Sequence, residues 1–370
     1  MTDYNKTEIE TLSRSLAETF EELSFIYRLN TTMNVTTNLN DYFQNLAVDL
    51  KEMMVVKAVL IVLWDEKENS YIHAGNLLLL PPEILKIIKE HRDQQVINST
   101  AGQILAVPIS RGEHNFGIVA AITPVTERKF NNIDLTRLAS VTNSVSVFLE
   151  NFRLYQDMRS LFLGSLKALT SSIDAKDPYT CGHSERVALY SKKIITSLEM
   201  PAAEADRVYI CGLVHDIGKI GMPESVLGKP GKPTDEEFEI IKRHPAMGAK
   251  IITGIKEMED LVPAVRHHHE RMDGKGYPDH LSGMQIPFRA RVLCVADTLD
   301  AMTSNRPYRN SLSIDAAINE LKKGRGTQFD SDIVEALLKL DVSVLVGEIK
   351  NQKNGLLQIN QIELPEEAAV

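Results

Sequence analysis

A chain of 370 residues exceeds the size at which a single hydrophobic core is comfortable, so two domains with connecting helices are expected. A formal charge of −9 disfavours a coat for nucleic-acid polymers or a docking surface for anionic membranes, and an anionic substrate then needs positive charge gathered locally. Three cysteines, Cys181, Cys211 and Cys294, are an odd number without CxxC spacing, which suits a reducing compartment. The longest apolar run, 53–64, is too short to span a bilayer and carries Lys57. With no signal-peptide pattern in the polar N-terminus, no membrane segment and a cytoplasmic location are expected.

Residues 1–38 read as an N-terminal helix, because Leu12, Leu16, Leu23, Ile26 and Leu29 recur near helical spacing; it would dimerise or cap. Over 39–137 the pattern changes to an α+β domain, with β-rich runs at 58–64 (AVLIVLW) and 116–122 (FGIVAAI) between helical stretches. Residues 138–167 read as a connecting helix, since Leu138, Val141, Val145, Phe148, Phe152, Tyr155, Met158, Phe162, Leu166 and Leu169 keep mostly three- and four-residue steps. The step slips near Met158 and Arg159, either as a stutter that transmits register or within a linker packed on its own domain. This periodicity is the basis for expecting a homodimer. The region 168–345 reads as an all-α bundle broken by glycine-rich turns at 228–233 and 273–278, and 346–370 as a C-terminal tail.

Seven of the ten histidines fall between His183 and His280. His215 and Asp216 stand in LVHDIGK, whose apolar lead-in implies a buried helix end. Burying an ionised aspartate alone is costly, so a cation is its natural partner. Lys219, at i+4 from His215 and i+3 from Asp216, comes to the same face and can hold a phosphate oxygen. His183 in CGHSERV, His244 in KRHPAMG, His268 and His269 in RHHHERMDGKGYP, and Asp297 in LCVADTLDAM follow at helix-sized intervals. Any one histidine is as readily structural as a ligand; the joint set is not. Imidazoles and carboxylates without cysteine favour iron, manganese or zinc, and more than four ligands imply more than one ion. Two bridged ions suit attack at phosphorus.

On these motifs, His215-Asp216 with Ile217-Gly218-Lys219, His268-His269-Glu270-Arg271, Asp273-Gly274-Lys275-Gly276-Tyr277-Pro278, and ADTLDAM with SNRPYR over 296–309, the region 168–345 resembles HD-GYP domains of the HD phosphohydrolase superfamily. The resemblance implies hydrolysis of cyclic di-GMP through pGpG to GMP at a bi- or trinuclear iron centre, alternatively manganese. It implies His183, His215, Asp216, His244, His268, His269 and Asp297 as ligands, with Asp216 bridging two ions and Lys219 neutralising the scissile phosphate. Glu185 is a further candidate for a third ion. Positions two apart on an ideal helix diverge by about 200°, so it converges with His183 only if the helix starts or distorts there, and otherwise reads as a solvated acid paired with a basic neighbour.

In the DGKGYP segment, Gly274 and Gly276 permit positive φ and close approach, and Tyr277 offers a face to a guanine. Gly276, Tyr277 and Pro278 are therefore candidate substrate contacts, against the alternative of an ordinary tight turn. Arg271 and Arg306 are candidates for supporting phosphate or metal ligands, or else structural partners of Asp273 or Asp300. His267 reads as an exposed or packing residue, and His280 has no assigned role. The surface around the GYP loop is also where a signalling protein partner is expected.

Residues 39–150 resemble a GAF sensory domain through FGIVAAI, the FNNID stretch at 130–134 and a helix ending near NFRLY at 151–155. The NKFDE-like nucleotide signature is missing, so no cyclic nucleotide is expected there, and His73, His91 and His114 read as surface or core residues. Beside the sensor-coupled phosphodiesterase stand two alternatives: an HD phosphohydrolase for another nucleotide, and a catalytically silent cyclic di-GMP receptor.

Overall fold

The structure is a computed structural model that describes residues 39–64, 70–75, 94–99, 102–123, 129–174, 182–229, 231–305 and 310–351. The helix expected over 1–38, together with His91, Cys181 and Arg306, lies outside the described residues. The chain divides into two compact units, Met1–Ser160 and Leu161–Val370.

The first unit begins with α1 (Leu39–Met53), whose Tyr42, Phe43, Leu46, Ala47 and Leu50 repeat at helical spacing and are buried. Five antiparallel strands follow, β1 (Ala58–Leu63), β2 (Ser70–Gly75), β3 (Gln95–Ser99), β4 (Gly102–Arg111) and β5 (His114–Thr123), in the order β2-β1-β5-β4-β3. The run AVLIVL is apolar throughout because β1 is central and covered on both faces. Val59 and Ile61 join α1 in one core, while Ala58, Leu60 and Val62 enter a second layer with Ile104, Ala106, Ile118 and Ala120. Each such fully buried Val, Leu or Ile contributes about 1.5–3 kcal/mol.

The long helix α2 (Asn132–Asp174) starts in this unit. Leu138, Val141, Val145, Phe148 and Leu149 belong to the α1 side of the sheet core, so this stretch packs on its own domain, whereas Leu163 and Leu166 belong to the helical core of the second unit. Between them Leu154, Met158 and Leu161 are more than half exposed, at 52%, 63% and 72%.

The second unit is helical: α3 (His183–Ser197), α4 (Ala202–Val214), a 3-10 turn Ile217–Gly221, α5 (Glu224–Leu227), α6 (Asp235–Ile241), α7 (His244–Ile252), a 3-10 turn Lys256–Leu261, α8 (Val262–His267), α9 (Phe288–Thr303), α10 (Ile314–Lys323), α11 (Ser331–Leu338) and α12 (Val342–Asn351). Its α12 continues into the segment expected as a tail. Val187, Tyr190 and Ile194 of α3 pack with Val208 and Leu213 of α4, Val265 of α8, Leu293 and Leu299 of α9, and Leu337 of α11. Among the described residues no helix is long and apolar enough to cross a membrane.

Candidate metal centre

Imidazoles at the start of α3 and α7 and at the ends of α4 and α8 converge with Asp216, just after α4, and Asp297, inside α9. Helix α4 runs as an apolar segment to Val214, and His215 caps its C-terminus. The next turn packs tightly on α7: a Cβ on Gly218 would lie 1.9 Å from the His244 carbonyl oxygen, so only glycine lets Asp216 approach that helix. The preceding α6 is started by a capping box in which the Thr234 side chain accepts from Glu237 N–H at 3.2 Å and the Glu237 carboxylate accepts from Thr234 N–H at 2.7 Å. His244 then opens α7, with Pro245 fixing its first turn. His268 caps α8, and His269 follows.

Three of these histidines are set by one local device. Nδ1 of His215, His244 and His268 lies 2.8, 2.8 and 2.7 Å from the carbonyl oxygen three residues earlier, on Gly212, Ile241 and Val265. A carbonyl only accepts, so Nδ1 carries the proton and Nε2 presents a lone pair. His183 is set by a carboxylate: its Nδ1 lies 2.8 Å from Asp300 Oδ2, and Arg186 donates to both oxygens of Asp300 at 2.6 and 3.0 Å.

The lone pairs meet at Asp216. One group that could hold an ion comprises Asp216, His244, His268 and His269; a second comprises His183, His215 and Asp216. The two Asp216 oxygens divide between them. Oδ1 lies 3.0 Å from His244 Nε2 and 4.0 Å from His268 Nε2. Oδ2 lies 3.5 Å from His215 Nε2, 3.7 Å from His183 Nε2 and 2.6 Å from Lys219 Nζ. Asp297 spans the same gap, with Oδ1 3.3 Å from His183 Nε2 and Oδ2 4.0 Å from His269 Nδ1.

The residues fit cations. His215 Nε2 is buried without a hydrogen-bond partner. His244 Nε2 and His268 Nε2 face each other at 3.3 Å with both Nδ1 protons already committed to carbonyls, so two lone pairs oppose each other. A cation between them removes the conflict. The electrostatics agree. Burial lowers the pKa of His215 and of His268, and burial together with His244 pushes His269 down to about 3, which keeps these rings neutral. Burial works against ionising Asp216, but Lys219 and the imidazoles of His215 and His244 overcome it and hold the carboxyl well below its usual range. Asp297 is likewise lowered against its burial, chiefly by His183. Burial opposes charge on His183 too, yet Asp297 and Asp300 push it up to about 10.

The structure thus brings together His183, His215, Asp216, His244, His268, His269, Asp297 and Lys219. Glu185 does not join them: it is in neither group, is 45% exposed along its side chain and pairs with Lys167 at 2.6 Å. Helix α3 does begin at His183, behind Gly182 at φ 69°, but the start leaves Glu185 turned toward α2. Arg271 is held by Asp273 in a two-point pair at 3.0 and 2.8 Å, the structural alternative raised from the sequence.

The two loop glycines differ in their reasons. Gly274 adopts φ 73°, whereas Gly276 has no positive φ and is required by space, since a Cβ would lie 2.4 Å from Glu270 Cα. That approach lets Tyr277 N–H donate to the His269 carbonyl at 3.3 Å, and the Tyr277 ring stacks on the His269 ring at 4.8 Å with Pro278 next in the loop. One tyrosine face is therefore used in orienting an imidazole. Phe238 of α6 meets the same ring edge-on at 6.4 Å.

Sequence reasoning missed Asp300, Arg186 and Glu270 as working parts of the site. The signal for the first two was the spacing: Asp300 is i+3 from Asp297 and Arg186 is i+3 from His183, on the same helix faces. Glu270, 2% exposed, accepts the Asp279 N–H at 2.7 Å, a contact nine residues away that no helical spacing announces.

The family model described as "HD domain" matches residues 167–333. The chain is 33% identical to the cyclic di-GMP phosphodiesterase response regulator RpfG of Xanthomonas campestris pv. campestris, over 69% of this chain and 70% of that protein. It is 37% identical to 3'3'-cGAMP-specific phosphodiesterase 3 of Vibrio cholerae, over 45% of this chain and 36% of that protein. Among solved structures, the GAF domain from an Acinetobacter phosphoenolpyruvate-protein phosphotransferase is similar at TM-score 0.30 and 14% identity, covering 36% of this chain and 95% of that domain. A helical unit built around His215-Asp216, a domain match across that unit and a relative shared over most of its length agree: the chain belongs to the HD domain family.

Proposed function

We propose that the chain is a metal-dependent phosphodiesterase that hydrolyses cyclic di-GMP through pGpG to GMP. The observation that carries this reading is the division of the Asp216 carboxylate, one oxygen toward His244 and His268 and the other toward His215, His183 and Lys219. Such a residue would be shared by two ions, which would supply Lewis-acid activation of water and neutralise charge at phosphorus. The donor set of imidazoles and carboxylates suits iron, with manganese as the alternative. Two groups and a diverted Glu185 favour two ions over three.

The chain's own residues do the rest. The three backbone carbonyls hold His215, His244 and His268 in the tautomer that leaves the inward nitrogen unprotonated, while Asp300 orients the His183 ring, whose inward proton an ion would displace. Lys219, 17% exposed along its side chain and 2.6 Å from Asp216, offers an ammonium to the non-bridging phosphate oxygens. The Gly276-Tyr277-Pro278 loop lines the approach beside His269. The sheet unit is assigned a regulatory role, and the exposed Leu154, Met158 and Leu161, at steps of four and three on α2, support a homodimer joined along that helix.

The relative named as 3'3'-cGAMP-specific supports a second substrate, the mixed cyclic dinucleotide. The test is to load the metal-free protein anaerobically with iron or manganese, offer it each cyclic dinucleotide, and follow products by chromatography. Release of pGpG and then GMP from cyclic di-GMP upholds the reading. Turnover of 3'3'-cGAMP alone transfers the assignment to the second substrate, and tight binding with no turnover of either makes the chain a receptor.

A further inference from the structure

The loop carrying Gly276, Tyr277 and Pro278 leaves the ligand segment at Arg271, and its far end is fastened back onto that same segment. Asp279 N–H donates to Glu270 Oε1 at 2.7 Å. In the other direction, Arg266 Nε and Nη2 donate to the two Asp279 oxygens at 2.7 and 2.8 Å. His267, which the ligand set does not use, lies between two acceptors, 2.8 Å from the Pro263 carbonyl and 2.9 Å from Asp279 Oδ2. The far end of the loop, Asp279, is thus tied to positions 266, 267 and 270, which bracket His268 and His269.

We propose that Asp279 is a positioning residue, clamped by Arg266 and His267, that holds Tyr277 against His269 and so fixes the substrate-lining loop relative to the metal centre. The proposal rests on the phosphodiesterase reading for its kinetic consequence, but not for its mechanical one. Over 276–278 the loop is otherwise held to the ligand segment by the close approach at Gly276, the tilted Tyr277 ring contact and one long hydrogen bond from Tyr277 N–H to the His269 carbonyl at 3.3 Å, so the Asp279 contacts supply most of the direction. The Arg266–Asp279 pair is 38% and 35% exposed along its side chains, so it adds little to global stability and its loss leaves the unit folded. Its two-point geometry supplies direction instead.

The test uses the full, metal-loaded chain with Asp279→Asn, Arg266→Asp, and the double variant Arg266→Asp with Asp279→Arg, which restores the pair in reverse. Each single change is expected to raise KM for cyclic di-GMP about tenfold through misplacement of the loop, with kcat within about threefold and metal content unchanged. The double variant is expected to bring KM back to within about threefold of the parent, a recovery that a purely structural role does not give. Amide hydrogen exchange over 276–282 is expected to speed up about tenfold in the single variants and to recover in the double, with 183–197 unaffected. Parental KM and exchange in the singles, or a double no better than either, overturns the clamp. Should the parent not turn over cyclic di-GMP, the phosphodiesterase reading fails by itself, and the exchange rates alone decide for or against the clamp.

Discussion

Replacing Asp300 by asparagine is expected to weaken metal binding while leaving the helical unit folded. Asp300 is 1% exposed and accepts three hydrogen bonds, from His183 Nδ1 at 2.8 Å and from Arg186 at 2.6 and 3.0 Å. Asparagine keeps the volume but has one acceptor oxygen. Whichever way its amide turns, an N–H faces a donor of Arg186 or His183. The ring of His183, whose Nε2 faces Asp216 and Asp297, is then left either facing an amide N–H or sharing one neutral acceptor with Arg186. Supports of this kind are worth about 10- to 100-fold in metal affinity, or about 1.4–2.7 kcal/mol. Alanine is the less informative change, because stranding a largely buried guanidinium costs about 3 kcal/mol in stability by itself. The assay is chelator-competition titration of iron or manganese into the metal-free variant, alongside its thermal melt. Parental affinity at an unchanged melting temperature would refute the claim that Asp300 orients a ligand.

Asp216→Ala is expected to abolish both metal loading and turnover, since it removes the one carboxylate shared by both ligand groups; an active, fully metallated variant sinks the bridging role. For Lys219→Ala, metal analysis should find the parental ion content while kcat falls about a hundredfold, in line with losing one charge-stabilising donor. Unchanged kinetics would remove its phosphate role. Gly276→Ala places a methyl 2.4 Å from Glu270 Cα and 2.6 Å from the His269 carbonyl oxygen. It is expected to cost about 1–3 kcal/mol by overpacking, read by denaturant titration, and a neutral result would show that the loop closes elsewhere.

The candidate ligands were legible because they break the grammar of their surroundings. Apolar segments such as LVHD at the end of α4 and LCVAD inside α9 bring imidazoles and carboxylates into a core where only a compensating charge tolerates them, so their setting made His183, His215, Asp216, His244, His268, His269 and Asp297 candidates, while the resemblance to HD-GYP domains set His267 apart. What supports them was less visible. The His183–Asp300 bond joins positions 117 apart, and nothing in either local sequence fixes how α3 meets α9. Glu185 carried the right chemistry at the start of the right helix, and only the nearby Lys167 of α2 decides where it points. In the sheet unit, β1 and β5 stood out as apolar runs, but β2 and β3 are edge strands with weak alternation. Strand β4 was obscured by Pro108, which reads against an interior strand; the proline is accommodated beside a register shift at Ile109/Ser110.

The feature that makes the centre readable is also the one on which the proposed activity rests. A fold with Asp216 and Asp297 inside and opposed lone pairs on His244 and His268 is internally conflicted, since apolar packing satisfies none of these groups. Lys219 and Arg186 answer part of the negative charge, Lys219 beside Asp216 and Arg186 beside Asp300. The remaining demand is for positive charge beside each oxygen of Asp216, where, under the phosphodiesterase reading, an anionic phosphodiester has need of it. Under the phosphodiesterase reading, helix packing places the cost of burial and the means of stabilising charge at phosphorus on the same atoms.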